Sequence, residues 1–271
     1  MSQNDQPEII SLIPAGGQAT RISPLPSSKE IFPIGFQQLA DGRLRPKAVC
    51  NYLLEKMRLA GAKKSYIVLR KGKWDIPAYL EDGAMLDMDI AYLIMRLPYG
   101  APYTLDQAYP FAKDAMIVFG FPDILFEPED AFVQLLNRQT ETGAEVVLGL
   151  FEATNPQKAD MVAFDDSGRV TDIVVKPPQT NLTHTWMMAV WTPRFTDFMH
   201  NYLQVAIDKM NSDVQDDSLS PPEVYVGHVI QAAIDEGMHV DQVVFQQGKY
   251  IDIGTPDDMI RAISDGIKSI G

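Results

Sequence analysis

Hydrophobic residues along this chain form two kinds of pattern, and the two kinds alternate. Short, nearly continuous apolar runs predict strands at residues 9–14, 65–69, 89–95, 115–119 and 144–151. Longer segments with helical periodicity predict helices at about residues 46–60, 74–81, 105–112, 128–142, 193–210 and 256–267. Strands that alternate with helices indicate an α/β fold with a mainly parallel sheet covered on both faces.

Three local patterns complete this outline. The turn sequence DDSGR at 165–169 lies between MVAF and VTDIVV and predicts a hairpin, which adds an antiparallel element. A short strand, YIDI, precedes the last helix. The segment NSDVQDDSLSPP at 211–222 is the loosest stretch and predicts a loop rather than a domain boundary. We therefore expect residues 1–271 to form one domain.

Composition narrows the class of protein. The 271 residues are 46% hydrophobic, which is ordinary for a globular protein with a sizeable core. No stretch of 18 or more residues stays apolar, and the polar, acidic start MSQNDQPE is unlike a secretory leader. A single cysteine, Cys50, excludes an internal disulfide and fits a reducing compartment. We expect a cytoplasmic protein in which Cys50 is a buried structural thiol.

Charge is unevenly distributed along the chain. The net charge of −13 argues against general binding of nucleic acid or of an anionic membrane. Residues 1–75, however, hold 12 Lys and Arg against 6 Asp and Glu, so that this part carries +6 and the remainder −19. A local positive region on an acidic protein suits a small polyanion such as a nucleotide, although scattered surface lysines could give the same count.

The first predicted strand runs into a glycine turn, in the sequence IPAGGQATRISPLPSSKEIFPIG at 13–35. Ala15, Gly16 and Gly17 would let the backbone approach a ligand closely and point N–H groups at phosphate oxygens. The P-loop pattern is absent, and the dinucleotide pattern fails because Ala19 and Ile22 stand where it needs glycine. The turn therefore belongs to another type of nucleotide site.

This stretch resembles the signature loop of the sugar-1-phosphate nucleotidyltransferases, in particular of glucose-1-phosphate thymidylyltransferases. That signature runs roughly L-A-G-G-x-G-T-R-L-x-P-L-T, followed by a lysine and a short apolar segment with proline. The chain has the glycine pair, Thr20-Arg21, Pro24-Leu25 and Lys29 in the same order. RPKAVCNYLLEKMRLAGAKKSYIVL, WDIPAYLEDG and YIDIGTPDDM are similar to later parts of the family, so the likeness to a divergent member covers nearly the whole chain.

The resemblance implies a three-layer α/β/α, Rossmann-like nucleotide-diphospho-sugar transferase fold with a mostly parallel mixed sheet. It also implies a nucleotide-binding half over about 1–125 and a sugar-phosphate-binding half over about 126–271. The implied reaction is attack by a sugar-1-phosphate oxygen on the α-phosphorus of a nucleoside triphosphate, with pyrophosphate leaving. Such reactions depend on alignment and charge neutralisation more than on a covalent nucleophile.

The positions that match the family carry implied roles in this reaction. Arg21 would bind the triphosphate, because a guanidinium can donate to two phosphate oxygens, and Lys29 would lie near the α-phosphate. Asp252 and Asp123 would hold Mg²⁺, which prefers oxygen ligands. Asp123 lies two residues later than the family's Gly-Asp pattern would place it, in the order Gly-Phe-Pro-Asp, and Glu127 is a weaker alternative.

Two further positions match less strongly. The family has a Gly-Leu-Ala-Gln-Ala segment whose glutamine reads the pyrimidine, and Gln107 in TLDQA would take that role. Thr104 and Gln107 also fit an N-terminal capping box, which is the structural alternative for this glutamine. Lys176 in IVVKPP matches the lysine of the family's Glu-Lys-Pro and would bind the sugar phosphate.

Several departures from the family pattern fall together. Ala19 replaces a loop glycine, Val175 replaces the glutamate before Lys-Pro, and Ala189 replaces a glycine near the sugar. Loss of that glutamate removes an acceptor for sugar hydroxyls. The segment HTWMMAVW around Ala189 is also apolar, which indicates either a modified acceptor site or ordinary hydrophobic core. We expect an altered acceptor site with weak use of glucose-1-phosphate and better use of a less polar phosphate.

The first functional hypothesis is a Mg²⁺-dependent nucleotidyltransferase that joins dTTP or UTP to a sugar-1-phosphate. The alternative is a non-catalytic nucleotide- or nucleotide-sugar-binding regulatory protein on the same fold. Retention of Arg21, Lys29 and Asp252 favours the enzyme, whereas the departures favour the binding protein. We expect a nucleoside triphosphate and a sugar-1-phosphate as partners, and neither nucleic acid nor membrane; homo-oligomerisation stays open.

Overall fold

A computed structural model of the protein describes residues 7–38, 41–213 and 223–269. The strands are β1 Ile9–Ala15, β2 Pro33–Gln38, β3 Leu44–Ala48, β4 Lys64–Leu69, β5 Asp89–Ile94, β6 Met116–Gly120, β7 Ile124–Phe126, β8 Val146–Glu152, β9 Asp160–Phe164, β10 Val170–Val175, β11 His184–Trp191, β12 Val240–Val244 and β13 Tyr250–Asp252. The helices are α1 Val49–Leu59, α2 Asp75–Leu80, α3 Ala101–Leu105, α4 Tyr109–Ala112, α5 Ala131–Thr142, α6 Pro193–Asp213, α7 Val226–Asp235 and α8 Pro256–Ser269.

Nine of the described strands form one mixed sheet. Its middle is parallel, with β1 between β4 and β6 and with β5 outside β4. Strand β11 runs antiparallel to β6, β8 and β9, β12 lies parallel to β8, and β10 pairs with β9. The predicted α/β fold with a mostly parallel mixed sheet is therefore confirmed, with β10 and β11 as the described strands that run against the others in this sheet.

The two faces of the sheet carry separate hydrophobic clusters because side chains alternate along each strand. On one face, Leu12 and Phe119 pack in a cluster with Phe195 and Leu203 of α6. The other face packs against α1 and α5, through Leu53, Leu54, Met57, Phe132 and Leu135. Helices on both faces give the three-layer arrangement that buries most of the central strands β1 and β6.

Parallel pairing places the ends of three strands together. Ala15 at the end of β1 pairs with Leu69 at the end of β4, and Leu12 pairs with Phe119, one residue before the end of β6. The segments that follow β1, β4 and β6 consequently leave the sheet at the same edge. Ligands of open α/β sheets bind at this carboxyl edge.

The predicted strands all form, with ends within two residues of those expected, and the hairpin at 165–169 joins the antiparallel strands β9 and β10. The helix predicted at 46–60 begins only at Val49, because residues 46–48 belong to β3. The segment predicted as one helix at 105–112 instead holds the last residue of α3, a 3-10 turn at 106–108 and the short helix α4. Helix α6 extends the segment predicted at 193–210 to Asp213, into the predicted loop, and residues 214–222 lie outside the described part.

Two other expectations concern burial and membranes. The Cys50 side chain is buried in α1, and burial raises the pKa of its thiol, as expected of a structural cysteine. None of the helices in the described residues is both long and apolar enough to cross a membrane.

Candidate active site

The glycine turn after β1 packs closely on one side and is open on the other. A Cβ atom added to Gly16 would lie 2.7 Å from Met95 Sδ and 3.6 Å from the Thr104 side chain, so that glycine alone fits without a shift. A Cβ atom at Gly17 would meet nothing within 4 Å. The turn that begins at the buried Ala15 is thus fixed from behind and presents its backbone to an open space.

Arg70 holds this turn and was not among the predicted residues. It follows the last residue of β4, and its Nε donates to the Gly16 carbonyl at 2.9 Å. Its Nη atoms lie 3.1 and 3.2 Å from the Gln18 side-chain oxygen when that amide is oriented to accept. The guanidinium therefore fixes the direction of the turn from the neighbouring strand.

Ala19 occupies the left-handed region of backbone conformation, with φ of +53°. This is where the family signature has its third glycine, which adopts such a conformation without the steric cost of a Cβ atom. The Ala19 carbonyl accepts hydrogen bonds from the backbone N–H groups of Ile22 and Ser23 and from Ser23 Oγ. These hydrogen bonds hold the loop in a conformation that Ala19 adopts despite its Cβ atom.

Two aspartates come together through the short pair of strands β7 and β13. Asp252 lies directly opposite Ile124, and the backbone N–H of Ile253 donates to the Asp123 carbonyl at 3.0 Å. The two residues between Gly120 and Asp123 carry the chain from the central sheet to this pair. Asp123 then forms an ion pair with Lys29 Nζ, so the extra residues do not aim it away from the site.

Arg21 lies against the second aspartate. A Cβ atom added to Gly254 would be 2.9 Å from Arg21 Nη2 and 3.3 Å from Asp252 Oδ1, so this glycine leaves room for both side chains. Arg21 and Lys29, from the loop after β1, and Asp123 and Asp252, from β7 and β13, form what we call the charge cluster.

The pKa values within the charge cluster show that its members interact. The pKa of Asp252 is raised to about 6, first because the surrounding protein removes water and then by the charge of Asp123; Lys29 and Arg21 act in the opposite direction. The pKa of Asp252 is raised although this residue keeps part of its surface open to solvent. Burial by itself would lower the pKa of Lys29, but the charge of Asp123 and its hydrogen bond raise it.

The residues on both sides of Lys29 anchor it. Ser28 donates to the Asp75 carboxylate from its backbone N–H at 2.6 Å and from its hydroxyl at 2.8 Å. Glu30 is buried and forms an ion pair with Lys73. The segment is thereby fixed to α2 and to the loop before it, and Lys29 is directed towards Asp123. These contacts could not be predicted from local sequence, because their partners lie more than 40 residues apart.

Glu127 is the poorer of the two candidates for the second carboxylate. Its backbone N–H donates to the carbonyl of Lys249, beyond the far end of the β7–β13 pair. It lies three positions after Ile124, the partner of Asp252, which corresponds to about 10 Å along an extended strand. The geometry therefore favours Asp123.

Gln107 does not form the capping box that its spacing from Thr104 suggested. Helix α3 begins after Gly100, so that Thr104 lies inside it and donates to the Gly100 carbonyl. The Gln107 amide donates to the Tyr103 carbonyl at 3.3 Å. Thr104 packs near Gly16, which places the segment that carries Gln107 directly behind the glycine turn.

Lys176 belongs to a second group of side chains, outside the charge cluster. Its Nζ lies 3.7 Å from the centre of the Tyr225 ring, and its positive charge acts on Asp160. Its φ of +44° is uncommon for a residue with a side chain. We call Lys176, Asp160, Tyr225 and the nearby Trp186 the acceptor cluster.

The donor set of the charge cluster fits Mg²⁺. Asp123 and Asp252 offer carboxylate oxygens, and the charge of Asp123 raises the pKa of Asp252, an effect that a divalent cation would oppose. Among the described residues, no group of three or more His, Cys, Asp or Glu could hold a metal by itself. This agrees with Mg²⁺ sites that use one or two carboxylates together with substrate phosphates.

A family model described as "Nucleotidyl transferase" matches residues 10–269. The chain belongs to the nucleotidyl transferase family. This confirms the resemblance found in the glycine turn and in YIDIGTPDDM. The family assignment supports a transferase that acts on nucleotides.

Curated relatives of this nucleotidyl transferase include two proteins that match 92% of the chain. A low-salt glycan biosynthesis nucleotidyltransferase from Haloferax volcanii is 25% identical over 253 residues, and a glucose-1-phosphate thymidylyltransferase from Streptomyces antibioticus is 23% identical over 255 residues. The match covers 63% and 64% of these relatives, so the chain spans less than two thirds of their length.

Solved structures share the fold over nearly the whole chain. A putative glucose-1-phosphate thymidylyltransferase from Bacillus anthracis has a TM-score of 0.75 and 16% identity, with 94% of each chain covered. The inositol-1-phosphate CTP transferase from T. maritima has a TM-score of 0.68 and 18% identity, with 98% of this chain and 99% of that one covered. At these identities the likeness concerns the fold.

Proposed function

We propose that this protein is a Mg²⁺-dependent nucleotidyltransferase that joins a nucleoside triphosphate to a sugar-1-phosphate and releases pyrophosphate. The observation that carries the proposal is the charge cluster: two cations and two carboxylates, from distant parts of the chain, converge beside an open glycine turn. A structural role alone would not require four charged groups at the carboxyl edge of the sheet.

The glycine turn and the cations would bind the triphosphate. Backbone N–H groups at Ala15, Gly16 and Gly17 would donate to phosphate oxygens, and Arg21 would donate to two of them at once. Lys29 would neutralise charge at the α-phosphate, which lets the acceptor's phosphate approach in line. Its ammonium is preorganised for this by the anchoring of Ser28 and Glu30.

Asp123 and Asp252 would hold the Mg²⁺ ion, which would supply further neutralisation of charge on the triphosphate. With a pKa of about 6, Asp252 is mostly ionised at neutral pH and can offer its carboxylate to a divalent ion, whereas protonation at lower pH would compete with the metal. The contact between Lys29 and Asp123 keeps both side chains in position before the substrates bind.

For the base we propose a pyrimidine, with dTTP or UTP as the first candidates and Gln107 as the residue that reads its edge. The names of the relatives support this choice, since they include glucose-1-phosphate thymidylyltransferases. The structural neighbour named as a CTP transferase makes CTP a candidate to be tested beside them. Lys176 would bind the phosphate of the acceptor. We also propose a cytoplasmic location, which agrees with the single cysteine of the chain.

The test is pyrophosphate release from each of the four ribonucleoside triphosphates and dTTP, combined with a panel of sugar-1-phosphates and Mg²⁺. We expect one pyrimidine triphosphate to support turnover, and Asp252→Asn to abolish most of it. Asp257→Asn is the matched control, because Asp257 lies exposed five residues further along the same segment. Nucleotide binding without pyrophosphate release from any combination would favour the non-catalytic binding protein instead.

A further inference from the structure

The acceptor cluster contains a carboxylate that the sequence comparison did not use. Strands β9 and β10 are antiparallel, and Asp160 is the direct cross-strand partner of Val175. Directly opposed residues of an antiparallel pair project from the same face, with Cβ atoms about 5 Å apart. A carboxylate at position 160 can therefore reach the space that a longer acidic side chain at position 175 would reach.

The two side chains do converge on one place. A Cβ atom added to Gly227, at the start of α7, would lie 2.5 Å from Asp160 Oδ2 and 3.1 Å from Val175 Cγ2. Asp160 thus stands at the amino end of a ten-residue helix, where a negative charge is stabilised by the helix dipole. The glycine at 227 leaves the room that the carboxylate needs.

The surroundings of Asp160 combine burial with positive charge. Burial raises the pKa of Asp160, while the charges of Lys176 and His228 and the backbone N–H of Gly227 act to lower it. Lys176 follows Val175 directly, and its ammonium lies over the Tyr225 ring. A carboxylate next to a phosphate-binding lysine can accept hydrogen bonds from the hydroxyl groups of a molecule whose phosphate the lysine holds.

The acceptor cluster is also linked to the charge cluster. Trp186 is 5% exposed, and its indole N–H is directed at Asp160 closely enough to lower the pKa of that carboxyl, although it forms no hydrogen bond of normal geometry among the described residues. Its ring centre is 6.0 Å from that of Phe121, two residues before Asp123. An unpaired buried donor beside Asp160 is suited to a polar ligand group.

We propose that Asp160 determines the specificity for the acceptor, because its carboxylate accepts hydrogen bonds from the hydroxyl groups of the acceptor. In this role Asp160 replaces the family's glutamate, which is Val175 in this chain. The inference rests on the proposed function and gives its acceptor a class: a polyhydroxylated phosphate, such as a sugar or cyclitol phosphate. It revises the expectation from the sequence, because Val175 by itself indicated a less polar acceptor.

The test moves the carboxylate across the strand pair. Asp160→Asn keeps the shape and removes the charge, Asp160→Val removes the polar group, and the double variant Asp160→Val/Val175→Asp exchanges the two partners. Asp172→Asn, at an exposed position of β10, is the matched control. For each variant, kcat/KM is measured for the best sugar-1-phosphate and for its singly deoxygenated analogues, together with the KM for the triphosphate.

We expect both single variants to lose about 10- to 100-fold in kcat/KM for the hydroxylated acceptor, the cost of one hydrogen bond to a charged group. The KM for the triphosphate should stay within twofold, and the preference of the wild type for the hydroxylated acceptor over one deoxygenated analogue should disappear. The exchange variant should regain at least tenfold over Asp160→Val. An unchanged acceptor preference in both single variants, or an equal loss for every acceptor and for the triphosphate, would overturn the proposal.

A second readout separates this proposal from the proposed function. If the wild type releases no pyrophosphate with any pair of substrates, the proposed catalytic function is wrong. The role of Asp160 can then still be tested by calorimetric titration with dTDP-glucose, UDP-glucose and CDP-glucose. Weaker binding of a nucleotide-sugar by Asp160→Asn, with unchanged binding of the free nucleoside diphosphate, would support the assignment. Equal affinities in wild type and variant, or no binding of any nucleotide-sugar by the wild type, would contradict it.

Discussion

At the carboxyl edge of the sheet Arg21 lies beside Asp252 and Lys29 beside Asp123, and none of the four belongs to a hydrophobic cluster. Lys29 and Asp123 are mostly buried as a pair, whereas Arg21 and Asp252 keep more contact with solvent. The exposed guanidinium is therefore the group most available to an incoming triphosphate. Two predictions concern single residues of this region.

Arg21→Ala should weaken binding of the triphosphate about 10- to 100-fold, because a guanidinium–phosphate contact is a charge-assisted hydrogen-bonding pair. Calorimetric titration with each triphosphate in the presence of Mg²⁺ measures this. Arg43→Ala is a suitable control, because Arg43 is exposed and pairs with Asp41 on the hairpin β2–β3. Equal affinities of Arg21→Ala and wild type would remove Arg21 from the nucleotide site.

Ala19→Gly should stabilise the protein by about 0.5–1 kcal/mol, because relief of the left-handed strain exceeds the entropy cost of glycine. Urea unfolding of the two proteins gives this difference. Gly17→Ala is the reverse control: a Cβ atom there meets nothing, so any effect on stability should be small and any effect on binding would come from the ligand. A destabilised Ala19→Gly variant would mean that the loop gains nothing from glycine here.

At the scale of elements, the glycine turn is shaped by its neighbours on the sheet. Arg70, from the end of β4, donates to the turn, and Thr104 of α3 packs behind it. Lys29 is likewise directed by Asp75 at the start of α2 through Ser28. The site therefore depends on the ends of several elements that parallel pairing brings together.

Arg70→Met should lower kcat/KM for the triphosphate about tenfold, mainly through KM, because the turn loses the donor that fixes Gly16 while the stem of the side chain remains. Arg70→Lys, which keeps the charge but changes the donor geometry, should recover only part of the loss. Lys71→Met is the matched control, since Lys71 is exposed next in the chain. If KM is unchanged in Arg70→Met, the turn keeps its shape without Arg70.

At the scale of the molecule, one hydrophobic cluster joins both halves of the chain. Phe119 on β6 packs with Trp186 and Trp191 on β11, at ring-centre distances of 6.1 and 5.2 Å. Strand β11 enters the sheet between β6 and β8 and so connects the strands before residue 125 with those after it. Burial that is shared in this way should make the two halves unfold together.

Phe119→Ala should lower the free energy of unfolding by about 3–5 kcal/mol, because it leaves a cavity where these rings meet. Tryptophan fluorescence and far-UV circular dichroism should still give coincident transitions, as expected of one cooperative domain over residues 1–271. Phe111→Ala is the control, because Phe111 is 57% exposed and stacks only at the surface on Tyr66. Two separate transitions in wild type would contradict a single domain.

Elements whose hydrophobic pattern or turn sequence lies within a short stretch of the chain could be predicted from the sequence alone. The apolar runs that became β1, β4, β5, β6 and β8, the turn DDSGR and the glycine turn with Arg21 and Lys29 could all be found within short windows. The same patterns did not predict helix α7 or the strands β2, β3, β7, β11 and β12. Several of these are short or apolar throughout, and periodicity does not distinguish a short buried strand from other buried segments.

Contacts between distant residues were decided only by the tertiary structure. Asp123 looked displaced by its two-residue insertion, yet the pairing of β7 with β13 places it beside Asp252 and Lys29. Val175 indicated that a carboxylate had been lost from the acceptor site, but the register of β9 and β10 places Asp160 directly opposite Val175. The sequence determines which side chains are present and in what order, but the register of the strands determines which of them meet. A shift of one residue in register would turn each side chain of a strand to the other face of the sheet.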